Sequence, residues 1–96
     1  MTVSVKFFAN VRTFMGKEKI ALSLAGSRKY SIREILAEIE RTEKKSLFPL
    51  IFESEEVPLR SVRVVLNGKI IHSLESNEKM IQDGDHIAIF PLLAGG

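Results

Sequence analysis

Ninety-six residues carrying a net charge of +2 are enough for one folded domain with one core, and too few for two. Apolar residues at 45% and charged residues at 27% are ordinary for a soluble globule. Basic residues occur as scattered pairs without interleaved aromatics, and no apolar run approaches a membrane span, so neither nucleic acid nor membrane is indicated as a partner. The absence of cysteine excludes disulfides, thiolate metal sites and a cysteine nucleophile, and leaves no side chain able to carry a persulfide.

In chain order, residues 2–9 read as a strand, with Val3, Val5 and Phe7 in one phase and Ser4 and Lys6 in the other. No signal peptide is visible ahead of it, which makes the cytoplasm the default location. Residues 10–16 read as a turn, and residues 19–24 alternate again through Ile20, Leu22 and Leu24. The first two strands therefore form a hairpin with a long connection. Ser31-Ile32-Arg33-Glu34 has the form of a capping box. Ile32, Ile35, Leu36 and Ile39 follow at the spacing of an amphipathic helix, and Lys44 and Lys45 suit the negative end of its dipole.

Residues 47–58 predict a short helical turn or irregular lobe over one end of the core. The acidic run at Glu53, Glu55 and Glu56 is expected to be a solvated loop. Residues 62–72 read as a hairpin around Asn67-Gly68, a pair suited to a type I′ turn. Asp83-Gly84-Asp85 is a further turn before a closing strand at 86–90. The order β-β-α-β-β-β predicts an α+β domain: a mixed sheet of about five strands with one main helix on one face. The short apolar last strand is expected inside the sheet.

The end of the sequence is its most unusual part. After the apolar strand come Pro91, Leu92, Leu93, Ala94, Gly95 and Gly96. Extended, six residues reach roughly 20 Å at about 3.3–3.6 Å each. Terminal residues often fray, but frayed ends are normally polar, whereas this one is apolar. The expectation is a domain at 1–91 and a flexible tail at 92–96 that enters another protein, with glycines permitting close approach to foreign catalytic groups.

With one helix covering one face, the other face of the sheet should be polar. The strand phases instead place Phe8, Val65, Ala88 and Phe90 there, beside Lys6, Arg63 and His86. An apolar patch rimmed by cations is the pattern of a protein-binding surface. A one-residue bulge would flip the assignment and bury these side chains. His72 and His86 have no metal-ligand spacing and read as surface or rim residues. Gly68 and Gly84 read as turn requirements, and no phosphate-cradling glycine motif occurs.

The blocks Phe7-Phe8-Ala9-Asn10-Val11-Arg12, Leu66-Asn67-Gly68, Asp83-Gly84-Asp85-His86-Ile87-Ala88-Ile89-Phe90-Pro91 and Gly95-Gly96 resemble, in that order, the MoaD/ThiS sulfur carriers, and more closely the MoaD type, the small subunit of molybdopterin synthase. The resemblance spans nearly the whole chain. It implies a β-grasp (ubiquitin-like) fold and a C-terminal Gly96 that an E1-like adenylyltransferase activates with ATP. It further implies conversion to a thiocarboxylate that enters the large synthase subunit and supplies sulfur to a pterin precursor. No cofactor would be bound directly, and the catalytic groups would belong to the partners. Arg12 matches the family's arginine after the first strand, and Phe8 and Phe90 fall where members contact partners. Leu92 stands where family tails often have a second proline. The chain is also longer than many members, with the extra residues between 45 and 61.

The chemistry is consistent with that division of labour. A terminal carboxylate, with a pKa of about 3.3–3.7, is an anion at neutral pH and a poor electrophile. Adenylation supplies a leaving group, which a sulfur nucleophile then displaces. Carriers for thiamine thiazole or tRNA thiolation, a ubiquitin-like modifier joined to lysine amines, and a plain binding module remain the alternatives.

Overall fold

The computed structural model describes residues 1–26, 29–52, 61–71 and 80–91. Strand β1 (Thr2–Phe7) buries Val3, Val5 and Phe7, as its alternation requires. It pairs antiparallel with β2 (Lys19–Ser23), which buries Ile20 and Leu22. The connection between them is not a turn. Residues 9–15 form a helix, α1 (Ala9–Met15), and β1 stops at Phe7 instead of running to Ala9. Val11 and Met15, four residues apart, are buried and hold α1 on the core. Gly16, left-handed at φ 72°, closes it.

Helix α2 (Ile32–Glu43) starts with the expected capping box: the Glu34 amide donates to Ser31 Oγ at 3.2 Å, and the Ser31 amide to Glu34 Oε1 at 3.0 Å. Its buried stripe is Ile32, Ile35, Leu36 and Ile39. Lys44 ends the helix in the left-handed region. Lys45 does not serve α2; its ammonium donates to the carbonyls of Phe14 and Met15, at 2.8 and 3.1 Å, and caps α1. Helix α3 (Phe48–Ile51) is the short turn foreseen between residues 47 and 58. Its free amides at Leu47 and Phe48 donate to the Glu40 carboxylate, and Leu47, Ile51 and Phe52 join the core. The acidic run at 53–56 lies outside the described residues.

Strands β4 (Val62–Leu66) and β5 (Lys69–Ile71) form a hairpin across Asn67 and Gly68, whose φ angles of 49° and 86° suit a type I′ turn. His72 is outside the described residues. Two two-residue strands absent from the sequence reading, β3 (Tyr30–Ser31) and β6 (Met80–Ile81), pair as a small second sheet. Strand β7 (His86–Pro91) is central in the main sheet, parallel to β1 and antiparallel to β4, in the order β2-β1-β7-β4-β5. Core side chains of all five strands and of α2 form one cluster. This is the expected β-grasp: a mixed five-stranded sheet with its main helix on one face.

Candidate functional site

Strand β7 has two ends with different local chemistry. Its start is locked by polar contacts among the motif residues. Asn67 Nδ2 donates to Asp85 Oδ1 at 3.0 Å, and the His86 amide donates to Asn67 Oδ1 at 2.9 Å. The Gln82 amide donates to the second Asp85 oxygen, and the Thr2 amide to Asp83 Oδ1. Left-handed Gly84 sends its amide to the Thr2 carbonyl. These residues fasten the β4–β5 hairpin, the turn before β7 and the start of β1 to one another. Their job is positional.

The other end of β7 is at Phe90 and Pro91. Pro91 pairs with Val62 and Phe90 with Arg63. Phe90 stacks on Phe8, with ring centroids 4.2 Å apart and planes 14° from parallel. Phe8 follows the last residue of β1 in extended backbone, φ −129° and ψ 153°, so its ring keeps the outward phase of the strand although the strand has ended. Lys6 Nζ lies 5.3 Å from the Phe8 ring centre. Arg12 is exposed on α1, one turn beyond the stacked ring. Residues 92–96, including Leu92, Leu93, Ala94, Gly95 and Gly96, lie outside the described residues.

The strand register brings the remaining face residues together. Lys6 is opposite Ala88, Ala88 opposite Val65, and Val65 opposite Ile70. Val65 is half-buried, Phe90 is 36% exposed and Ile70 is 49% exposed. The apolar face therefore contains Phe8, Phe90, Ala88 and Val65, as the phases indicate, plus Ile70, which sequence reasoning missed. A two-residue hairpin loop pairs Leu66 with Lys69 and so necessarily Val65 with Ile70; that arithmetic was available in the sequence. At the opposite end of this face His86 Nδ1 contacts Ser4 Oγ.

Among the described residues no group of three or more His, Asp or Glu side chains is close enough to hold a metal. No helix is long and apolar enough to cross a membrane, again among the described residues. What this geometry can do is dock an apolar protein surface beside the last residues of the central strand.

Comparisons with known proteins converge on the same reading of the fold. A curated relative, small archaeal modifier protein 3 of Haloferax volcanii, is 28% identical over 96 residues, covering 100% of both chains. The crystal structure of small archaeal modifier protein 1 from the same organism superposes with a TM-score of 0.76 at 19% identity, covering 100% of each chain. A putative molybdopterin converting factor subunit 1 from Pyrococcus furiosus gives 0.69 at 25% identity, over 97% of this chain and 99% of that one. The model of the ThiS family matches residues 5–96, from the first strand through the paired glycines, and the chain belongs to that family.

Proposed function

We infer that this protein is a sulfur carrier of molybdenum or tungsten cofactor synthesis, working through the carboxylate of Gly96. The observation that carries the reading is the family match running through Gly95-Gly96, joined to a sheet whose central strand ends beside the Phe8–Phe90 stack. An E1-like adenylyltransferase joins a Gly96 carboxylate oxygen to the α-phosphorus of ATP and releases pyrophosphate. A sulfur nucleophile then attacks the carbonyl carbon and AMP departs. The resulting thiocarboxylate enters the large subunit of molybdopterin synthase, where its sulfur passes to a pterin precursor. Gly96 is the modified residue, while Gly95, Ala94, Leu93, Leu92 and Pro91 present it. Phe8, Arg12, Val65 and Phe90 form the docking contacts. The chain itself contributes no acid, base or metal ligand to these steps, and ATP is bound by the activating partner.

The resemblance of the motif blocks to the MoaD type and the Pyrococcus neighbour favour a pterin product. A modifier that joins Gly96 to lysine amines is the second reading, favoured by the end-to-end match to a small archaeal modifier protein. Intact-mass measurement of protein from its native cells separates the two. One terminal oxygen replaced by sulfur is expected for the carrier. Gly-Gly remnants on lysines of other proteins, with no sulfur at the terminus, would overturn it in favour of the modifier.

A further inference from the structure

Helix α1 is too short to stand by itself: seven residues make barely two turns, below the length at which isolated helices hold in water. Its entry is loose. Phe8 offers no side-chain cap, Ala9 sits at φ 52°, and the first helical bond, from the Arg12 amide to the Phe8 carbonyl, is 3.4 Å long. Its exit is fully satisfied. Of the four carbonyls that a helix leaves without an internal partner, those of Arg12 and Thr13 accept from the Gly16 amide at 2.9 and 3.3 Å. The other two, of Phe14 and Met15, accept from Lys45 Nζ. The same ammonium lies 5.6 Å from the Phe14 ring centre. A return contact runs from Lys17 Nζ, just past α1, to Glu43 Oε1 at the end of α2, at 2.9 Å. The carbonyl ends of the two helices are thereby cross-tied.

We propose that Lys45 is a positioning residue for the adenylation step: by gripping the carbonyl end of α1, it sets the direction in which Arg12 meets the activating enzyme. The inference rests on the sulfur-carrier reading for the identity of that enzyme, and deepens it by adding a residue outside the docking contacts already named. Arg12 lies between the loose end and the tied one. Its amide reaches back to Phe8, and its carbonyl is held by Gly16, which directly follows the carbonyls that Lys45 holds. Val11 and Met15 fix the depth of α1 on the core. Two side chains one turn apart lie on a single line along the helix, so their burial alone leaves rotation about that line open. The two main-chain bonds from Lys45 add the further fixed point, and the exposed Arg12 takes its direction from it.

The test uses the full-length chain, first alone and then with the purified E1-like adenylyltransferase of the same organism. Lys45→Met keeps the aliphatic stem and removes the ammonium. In the carrier alone, amide hydrogen exchange at Gly16 quickens by about tenfold. In ATP–pyrophosphate exchange with the carrier as varied substrate, its KM rises by about fivefold while kcat stays at the wild-type value, as expected for binding lost equally from ground and transition states. Lys45→Arg, whose guanidinium can donate to both carbonyls, brings both readings back toward wild type. Ser31→Ala, which loosens α2 at its far end, lowers the melting temperature without moving KM. Unchanged Gly16 exchange in Lys45→Met overturns the clamp and the proposal with it. Faster exchange with an unmoved KM, or a KM that rises as much in Ser31→Ala, leaves Lys45 a structural cap and overturns the positioning role. No pyrophosphate exchange with the wild-type chain overturns the sulfur-carrier reading, and the positioning role with it, while the hydrogen-exchange result on the clamp stands.

Discussion

Phe7 and Phe8 are adjacent in sequence and opposite in consequence. Phe7 is fully buried in the core, whereas Phe8 lies on the outer face against Phe90. Replacing a buried phenylalanine by alanine costs about 3–5 kcal/mol, a large part of the roughly 5–15 kcal/mol that keeps a domain folded. Phe7→Ala is therefore expected to be largely unfolded or melt at a strongly lowered temperature. Phe90 is 36% exposed, so Phe90→Ala loses only partial burial and the ring stack. The stack contributes about 0.5–1.5 kcal/mol and the lost burial about as much again, for a total of about 2 kcal/mol. At about 4–8 °C per kcal/mol for a domain of this size, the melting temperature falls by roughly 8–16 °C with a cooperative transition retained. Denaturant melts of Phe8→Ala, Phe90→Ala and the double variant give the coupling directly, expected at about 1 kcal/mol. The same Phe90→Ala chain should lose most of its affinity for the proposed activating enzyme. Zero coupling, or a collapsed fold with intact affinity in the folded remainder, would refute the placement of these rings.

Other expectations follow from single contacts. Ser31→Ala removes one half of the capping box and lowers stability by about 1 kcal/mol, measured by urea denaturation; no change would mean α2 does not need its cap. Ala9 has φ 52°, a conformation costly for a residue with a Cβ, so Ala9→Gly should raise stability by up to about 1 kcal/mol despite the added chain entropy. Asn67→Ala deletes two hydrogen bonds and a side chain that tolerates the left-handed region, for a loss of about 2–3 kcal/mol with docking affinity unchanged. Lys45→Met keeps the aliphatic stem but removes the ammonium from the Phe14 and Met15 carbonyls, and faster amide exchange is expected at Gly16, whose amide bonds within α1.

The sequence was most readable where local and long-range signals agreed. At α2 the Ser31–Glu34 cap and four apolar residues at helical spacing point the same way, and the β4–β5 hairpin needed only Asn67-Gly68 between alternating strands. Helix α1 was hidden because seven residues show barely two turns, with only Val11 and Met15 to mark a face and an exposed Phe14 to blur it. Two of its stabilising features are also not local: the cap comes from Lys45, thirty-one residues beyond Phe14, and the packing from β7. Strands β3 and β6 contribute two residues each, too few for any alternation to show. On the outer face, Phe8 falls where its phase indicates, yet it does so from the residue after the strand, held by an extended backbone and the Phe90 ring.

The motif blocks divide into two physical tasks set at opposite ends of β7. From His86 to Phe90 is four residue steps, about 13 Å along a strand. At the His86 end, the Asn67 carboxamide, the Asp83 and Asp85 carboxylates and the amides of Thr2, Gln82 and His86 form a hydrogen-bond network that fixes the β4–β5 hairpin, the turn before β7 and the start of β1 in register. At the Phe90 end the contacts are aromatic and aliphatic, and one ring remains a third exposed. Polar networks of the first kind depend on direction and fix position; apolar surfaces of the second kind tolerate sliding and gain most when a partner removes the remaining water. On the proposed reading, a carrier working through Gly96 needs both. The locked end would keep the central strand from shifting if a partner pulled on the chain beyond Pro91, because that force would fall on a strand hydrogen-bonded on both sides. That β7 lies inside the sheet, with neither edge strand leading to residue 92, is thus the mechanical reason a pull on the chain beyond Pro91 would meet a strand held on both sides.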